Sequence, residues 1–251
     1  PREVEKFNKT LISGKVDMKS TGKAYIITDE FSEDIYIAPN NTHHALNGDI
    51  VKVRLFPKRP GKKTEGRVVE IIKRAKKQFV GTIEANKKFA FLIPDNQKVP
   101  VDIYIPITEL KNAKNGNKAI AVITDWPEQS NMPFGKIIEV LGEPGDNDVE
   151  MNSILAEYEF PLSFPGNVER EADKIKEVIP EKEISGRKDY RNIFTCTVDP
   201  ADAKDFDDAL SLQKTSEGKW EVGIHIADVS HYVKPGSLID QEAYKRATSI
   251  Y

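Results

Sequence analysis

The sequence predicts a mainly β chain with some α, built as two small β-barrels followed by an α/β segment, and three observations predict it. The first 148 residues repeat themselves at an offset of 66 to 69 positions. Each copy alternates short β-branched and aromatic runs with turn signals, and helical periodicity begins only after the second copy ends. Charge divides at the same place: residues 1–150 hold 24 basic and 21 acidic side chains, whereas residues 151–251 hold 13 and 19.

Composition bounds the reading further. Hydrophobic residues make up 39% of the 251 and charged residues 31%, enough apolar material for packed cores. No run reaches the roughly 18 apolar residues that a membrane span needs, and Pro1-Arg2-Glu3-Val4 opens no secretory signal. A cytoplasmic, soluble, monomeric chain with no membrane partner is expected. The single cysteine, Cys196, excludes a disulfide scaffold and a CxxC zinc site.

The repeat fixes the order of elements. Ser13-Gly14-Lys15-Val16 meets Val80-Gly81-Thr82-Ile83, and Ala24 to Asp29 meets Ala90 to Asp95. Asp34-Ile35-Tyr36-Ile37 meets Asp102-Ile103-Tyr104-Ile105, Asn47-Gly48 meets Asn115-Gly116, and Gly66 to Glu70 meets Gly135 to Glu139. About five short strands per copy predict a small barrel. The first barrel is assigned to residues 8–74, the second to 78–147, and a third segment to 148–251.

Strand alternation places Phe89 and Phe91 on one face, with Tyr104 on the neighbouring run between Ile103 and Ile105, which point the other way. On an oligonucleotide-binding barrel such rings stack bases while Lys87 and Lys88 follow phosphates; as core residues they would only fill the barrel. Residues 52–88 carry thirteen Lys or Arg against three Glu. That density attracts a polyanion, or it is a solvated loop with lysine-guarded edge strands. Both repeats resemble cold-shock domains, compact nucleic-acid-binding barrels. The first copy reads Thr21-Gly22-Lys23-Ala24-Tyr25 where that family favours alternating aromatics; the second keeps Lys88-Phe89-Ala90-Phe91. The resemblance makes the second copy the better RNA contact.

Beyond Gly142-Glu143-Pro144-Gly145, acidic residues open a helix near Asp148. A second helix is expected after Pro165-Gly166, capped by Asn167, with Val168, Ala172, Ile175 and Val178 or Ile179 on one stripe before Pro180 stops it. Arg187 to Arg191 lead into a strand, Ile193 to Val198, where Cys196 reads as a buried residue.

Asp199-Pro200-Ala201-Asp202-Ala203-Lys204-Asp205-Phe206-Asp207-Asp208 then places five carboxylates in ten residues. Carboxylates packed together repel unless a cation neutralises them, so the cluster points to a divalent metal. Oxygen ligands favour Mg²⁺ or Mn²⁺. An EF-hand is excluded because its sixth position, a glycine, would be Lys204. An acidic solvated turn is the plain alternative, but the cluster lies between two apolar strand patterns. Metal-bound carboxylates beside RNA-binding barrels imply phosphodiester hydrolysis.

Thr197 to Leu210 resembles, nearly position for position, the signature of the ribonuclease II and ribonuclease R (RNB) family, and so does Gly223 to Val233. The resemblance implies a processive 3′-to-5′ exoribonuclease that uses Mg²⁺ to release nucleoside 5′-monophosphates from single-stranded or structured RNA with a 3′ end. It implies Asp199, Asp205, Asp207 and Asp208 as the catalytic carboxylates. Asp199 and Asp208 would hold metal with Asp205 assisting, and loss of Asp207 would remove cleavage. Tyr251 matches the tyrosine that stacks on the 3′-terminal base. His225 and His231 are read as structural, since a metal can itself activate water near neutral pH; His43 and His44 are read as solvent residues. In that family the nuclease domain continues past the segment ending at Tyr251 and supplies an arginine, so this chain alone is expected to be weak or inactive. The rival reading is a non-enzymatic RNA-binding module with an incomplete nuclease segment; a metal-dependent endonuclease is a third.

Overall fold

The computed structural model describes residues 10–57, 61 and 63–249, and Tyr251 therefore lies outside the described residues. Two compact units are present, residues 1–162 and 163–251. Unit one holds two closed five-stranded barrels. In the first, β1 (Leu11–Met18), β2 (Ala24–Ile27), β3 (Ile35–Ile37), β4 (Ile50–Leu55) and β5 (Glu65–Lys73) close in the order β1-β2-β3-β5-β4. In the second, β6 (Gln78–Ala85), β7 (Ala90–Pro94), β8 (Ile103–Ile105), β9 (Lys118–Asp125) and β10 (Phe134–Gly142) repeat that order strand for strand. The closing seam is parallel in each, β3 on β5 and β8 on β10. The predicted mainly β architecture with two oligonucleotide-binding-type barrels is thus present.

Alternation explains why each strand has one apolar face. Ile26, Ile35, Ile37, Val51 and Val53 fill the first barrel, and Ile83, Leu92, Ile103, Ile105 and Ala121 fill the second, all at 0% exposure. Each buried aliphatic side chain contributes about 1.5–3 kcal/mol. Repeated polar pins set the turns: the Met18 amide donates to Asn47 Oδ1 at 3.0 Å, and the Ala85 amide to Asn115 Oδ1 at 2.8 Å. The glycine after each asparagine, Gly48 and Gly116, has φ of +85° and +90°, a left-handed turn that a side chain would strain.

The barrels are joined by more than chain. Leu46 of the first, 3% exposed, belongs to the second barrel's core cluster. Asp49, 1% exposed, accepts from the Leu46 and Ala75 amides and from Arg74 Nη1 at 2.7 Å. Arg74 also donates to the His44 carbonyl, and the His44 ring stacks on Trp126 of the second barrel at 4.5 Å. His44 is therefore a half-buried joint residue, not the solvent residue its loop position predicts; its pairing partner is 82 positions away.

Helix α1 (Asn147–Glu157) begins at Asp146, whose carboxylate accepts from the Asp148 and Val149 amides. Its Ala156 packs with Val80 and Ile120 on the second barrel. In unit two, α2 spans only Gly166–Ala172, with Pro165 rather than Asn167 at its N-cap. The expected stripe past Ala172 is not helical, and Val178 is 78% exposed. A Lys-Ile-Lys-Glu-Val-Ile run has weak helix propensity at its β-branched positions and here gains no burial to offset it. After α3 (Glu181–Ser185), strands β11 (Phe194–Cys196), β12 (Asp208–Lys214) and β13 (Trp220–Ile226) form an antiparallel sheet, followed by α4 (Val229–Tyr232) and α5 (Leu238–Arg246). Cys196 is half-buried there, on an edge strand paired on one side only, with β12.

Candidate nucleic-acid interface and carboxylate loop

The second barrel carries a continuous row of rings on its outside. Phe91 and Tyr104 face each other across the β7–β8 register, with centroids 5.8 Å apart. Phe89 meets Phe91 at 5.5 Å. A fourth ring, Phe134 at the start of β10, pairs with Tyr104 through the parallel seam at 5.2 Å. Every contact is edge-to-face, the arrangement that the ring quadrupoles favour. Ile103 and Ile105 point inward at 0% exposure, so the rings are surface groups and the core is filled without them. Asn86 shapes the turn beside Phe89, its Oδ1 accepting from the Lys88 and Phe89 amides, and holds Lys87 and Lys88 exposed at the end of the row. Sequence reading assembled Phe89, Phe91, Tyr104, Lys87 and Lys88 but missed Phe134. Its repeat mate is Glu65, so the duplication gave no hint, and only strand pairing brings it to Tyr104.

At the matching places the first barrel has Lys23, Tyr25, Tyr36 and Glu65. Tyr25 and Tyr36 meet at 5.8 Å, and the ammonium groups of Lys19 and Lys63 lie over Tyr25 at 5.8 and 5.9 Å. Cations cover the ring face that a base would need. Lys19 is also bound to Asp17, whose carboxyl is held below its usual range first by that hydrogen bond.

In unit two, the aspartates lie on the connection from β11 to β12. Asp199 follows β11 and is half-buried; its Oδ2 is shut from solvent with no hydrogen-bond partner. Asp205 and Asp207 lie on the irregular stretch beyond, and Asp208 opens β12 on the same sheet face as Ile226. The Ala227 amide donates to the Asp207 carbonyl at 2.8 Å, which fixes the end of the loop against β13. Asp205, Asp207 and Asp208 are exposed, and no three acidic, His or Cys side chains among the described residues gather around a common point. Exposure places these three carboxylates where solvent and salt screen the repulsion predicted for a packed cluster. The donor chemistry still fits a hard cation: an orphaned carboxylate oxygen is costly to bury unless something binds it.

Several polar groups of the same unit are paired with one another. His225 Nε2 lies 2.8 Å from Ser211 Oγ and its ring packs on Tyr190, while Gly223 leaves the space this pair needs, since a Cβ there would lie 2.4 Å from Ser211 Oγ. Arg187 binds Asp228 at 3.1 Å and holds that carboxyl below its usual range. Arg191 does the same to Asp189, pulling it down to about 2. The basic stretch 187–191 is thus largely neutralised by its own neighbours.

Comparison with known proteins accords with this architecture. The Ribonuclease B OB domain matches residues 14–71, the cold shock domain residues 91–165, and the RNB domain residues 187–251. An OB domain and a cold shock domain followed by the opening of an RNB domain define the class, and the chain carries these domains in the order of the RNB family. Within it, the similarity runs along nearly the whole chain to ribonuclease R: 38% identity over 249 residues to that of Thermotoga maritima, covering 98% of this chain and 35% of the relative. Ribonuclease R of Escherichia coli is 32% identical over 242 residues, covering 96% of this chain and 30% of the relative. The chain therefore spans about a third of these relatives. A solved structure of Mycoplasma genitalium RNase R in complex with ribose methylated single-stranded RNA superposes with a TM-score of 0.76 at 25% identity, covering 96% of this chain and 38% of that one. No helix among the described residues is long and apolar enough to cross a membrane.

Proposed function

We propose that this chain is the RNA-binding and aspartate-bearing part of a 3′-to-5′ exoribonuclease that hydrolyses RNA to nucleoside 5′-monophosphates with Mg²⁺, Mn²⁺ being able to replace it. The observation that carries the reading is Asp199: a carboxylate at a strand end with one oxygen buried and unpartnered, on the same loop as Asp205, Asp207 and Asp208. In this reading Asp199 and Asp208 hold the metal and Asp205 assists. Bound there, the metal supplies Lewis-acid activation of water and charge neutralisation on the phosphoryl group. The chain's own part is to seat bases on Phe89, Phe91 and Tyr104, to hold phosphates with Lys87 and Lys88, and to keep Asp207 fixed by its carbonyl. Tyr251, outside the described residues, takes the 3′-terminal base.

The spread of the exposed aspartates supports weak metal binding until RNA phosphates add ligands. Mn²⁺ titration followed by electron paramagnetic resonance tests this. Binding is expected to be weak alone, tighter with a 20-nucleotide single strand, and lost in Asp199→Asn. Tight binding that ignores Asp199 would overturn the assignment. Cleavage is tested with 5′-labelled single-stranded RNA and Mg²⁺: any shortening from the 3′ end must vanish in Asp207→Asn, and cuts in a circular RNA would instead mark an endonuclease. The same spread favours, as second reading, RNA binding without cleavage. Full RNA affinity with no Asp199-dependent Mn²⁺ binding would establish it.

A further inference from the structure

The fourth ring of the second barrel has no structural need to be a ring. Phe134 is 38% exposed, like Phe89 at 39%, and the core beneath it is already closed by Ile103 and Ile105. The first barrel closes the identical parallel seam, Tyr36 beside Glu65, with a carboxylate in that place. An aromatic side chain left in water on a seam that closes equally well without it needs a different reason.

We propose that Phe134 is a base-contacting residue, the last platform of a single-stranded RNA site that runs Phe89, Phe91, Tyr104, Phe134 and leaves past Lys136. This rests on the reading that the second barrel binds RNA, and extends it across the parallel seam onto a strand outside the β7–β8 pair. Geometry supports the extension. The steps along the row are nearly even, 5.5, 5.8 and 5.2 Å, so Phe134 continues it without a break. Each ring is held by the next, so little side-chain freedom is lost when a strand binds. Charge is placed at both ends: Lys87 and Lys88 beside Phe89, and Lys136 two residues beyond Phe134 on the outward side of β10, exposed while Gly135 and Ile137 are buried. Aromatic rings stack any base, so the site selects a single strand with exposed bases rather than a sequence.

The test is fluorescence anisotropy of the whole chain with oligouridylates of two to ten nucleotides, with folding checked by circular dichroism. For the native chain, affinity is expected to rise with length to a plateau. In Phe134→Ala the plateau should arrive about one nucleotide earlier, with affinity for the longest strand reduced roughly 5- to 100-fold, the loss of one stacked base. Phe134→Leu preserves contact with Tyr104 without a π face and should bind as poorly as alanine; Phe134→Trp should bind like the native chain. If Phe91→Ala weakens binding while Phe134→Ala or Phe134→Leu leaves length dependence and affinity unchanged, the fourth platform is wrong and the RNA-binding reading stands. If the native chain shows no binding that Phe91→Ala reduces, the underlying reading fails and this inference with it.

Discussion

The two barrels have the same strand order, the same parallel seam and the same asparagine-pinned turns, yet they differ along one outer row. The first presents Lys23, Tyr25, Tyr36 and Glu65; the second presents Phe89, Phe91, Tyr104 and Phe134. Duplication conserved what closes the barrel and left free what faces outward. A shared fold is therefore no argument for a shared ligand, and the row must be read side chain by side chain.

The largest effect that would sharpen this comparison is on stability. Asp49 and Asn117 occupy matching turns, and each accepts from the amide three residues before it, Leu46 and Lys114. Asp49 alone also anchors Arg74 and Ala75. Asp49→Ala should cost about 3 kcal/mol, since it strips a buried carboxylate from a partly exposed guanidinium, and Asn117→Ala about 1 kcal/mol, both read by urea unfolding. Equal losses would mean the joint contributes nothing. Next comes RNA affinity. Phe91→Ala should weaken single-strand binding by roughly tenfold or more and Tyr25→Ala by less than about threefold, because Lys19 and Lys63 already cover the Tyr25 face. A reversed order would transfer the stacking role to the first barrel. A smaller gain is expected from Glu65→Phe, which completes a three-ring row in the first barrel and removes a charge that repels phosphate. Anisotropy should show a few-fold tightening, roughly a single weak stack.

The smallest expected effect is on pH dependence. Burial is the main reason that His44 is held below the ordinary histidine value of 6.5, with His43 and Arg74 adding repulsion; the Ser130 hydrogen bond and Glu128 act the other way. A depressed histidine contributes stability that is complete above pH 6.5 and is lost as pH falls through the lowered folded value. Melting temperature should therefore decline on acidification below pH 6.5 slightly more steeply in the native chain than in His44→Gln. Parallel profiles would show that the imidazole protonates without disturbing its stack on Trp126.

Much of this was legible in the sequence, and the boundary of what was not is physical. The repeat exposed both barrels because closure imposes the same inward residues twice. Alternation exposed Phe89, Phe91 and Tyr104 because the strand period is two. Phe134 stayed hidden because a parallel seam joins residues 30 positions apart and leaves no local pattern. His44 stayed hidden because its stacking partner belongs to the other copy. For the aspartates the sequence carried residue type and order, which allowed Asp199, Asp205, Asp207 and Asp208 to be singled out. It carried no sign that one oxygen of Asp199 would be buried while the other three side chains face water, since that depends on how the chain turns after β11. The α2 stripe failed for the opposite reason: the period was present, but among the described residues nothing buries it past Ala172, and Val178 and Ile179 stay exposed.

Leu46 gives the pair of barrels a common fate. It is encoded with the first and completes the interior of the second. A gene segment carrying residues 78–147 alone would arrive in a new host protein with a gap in its interior and the Trp126 face stripped of its cover, whereas the two together travel as one heritable piece.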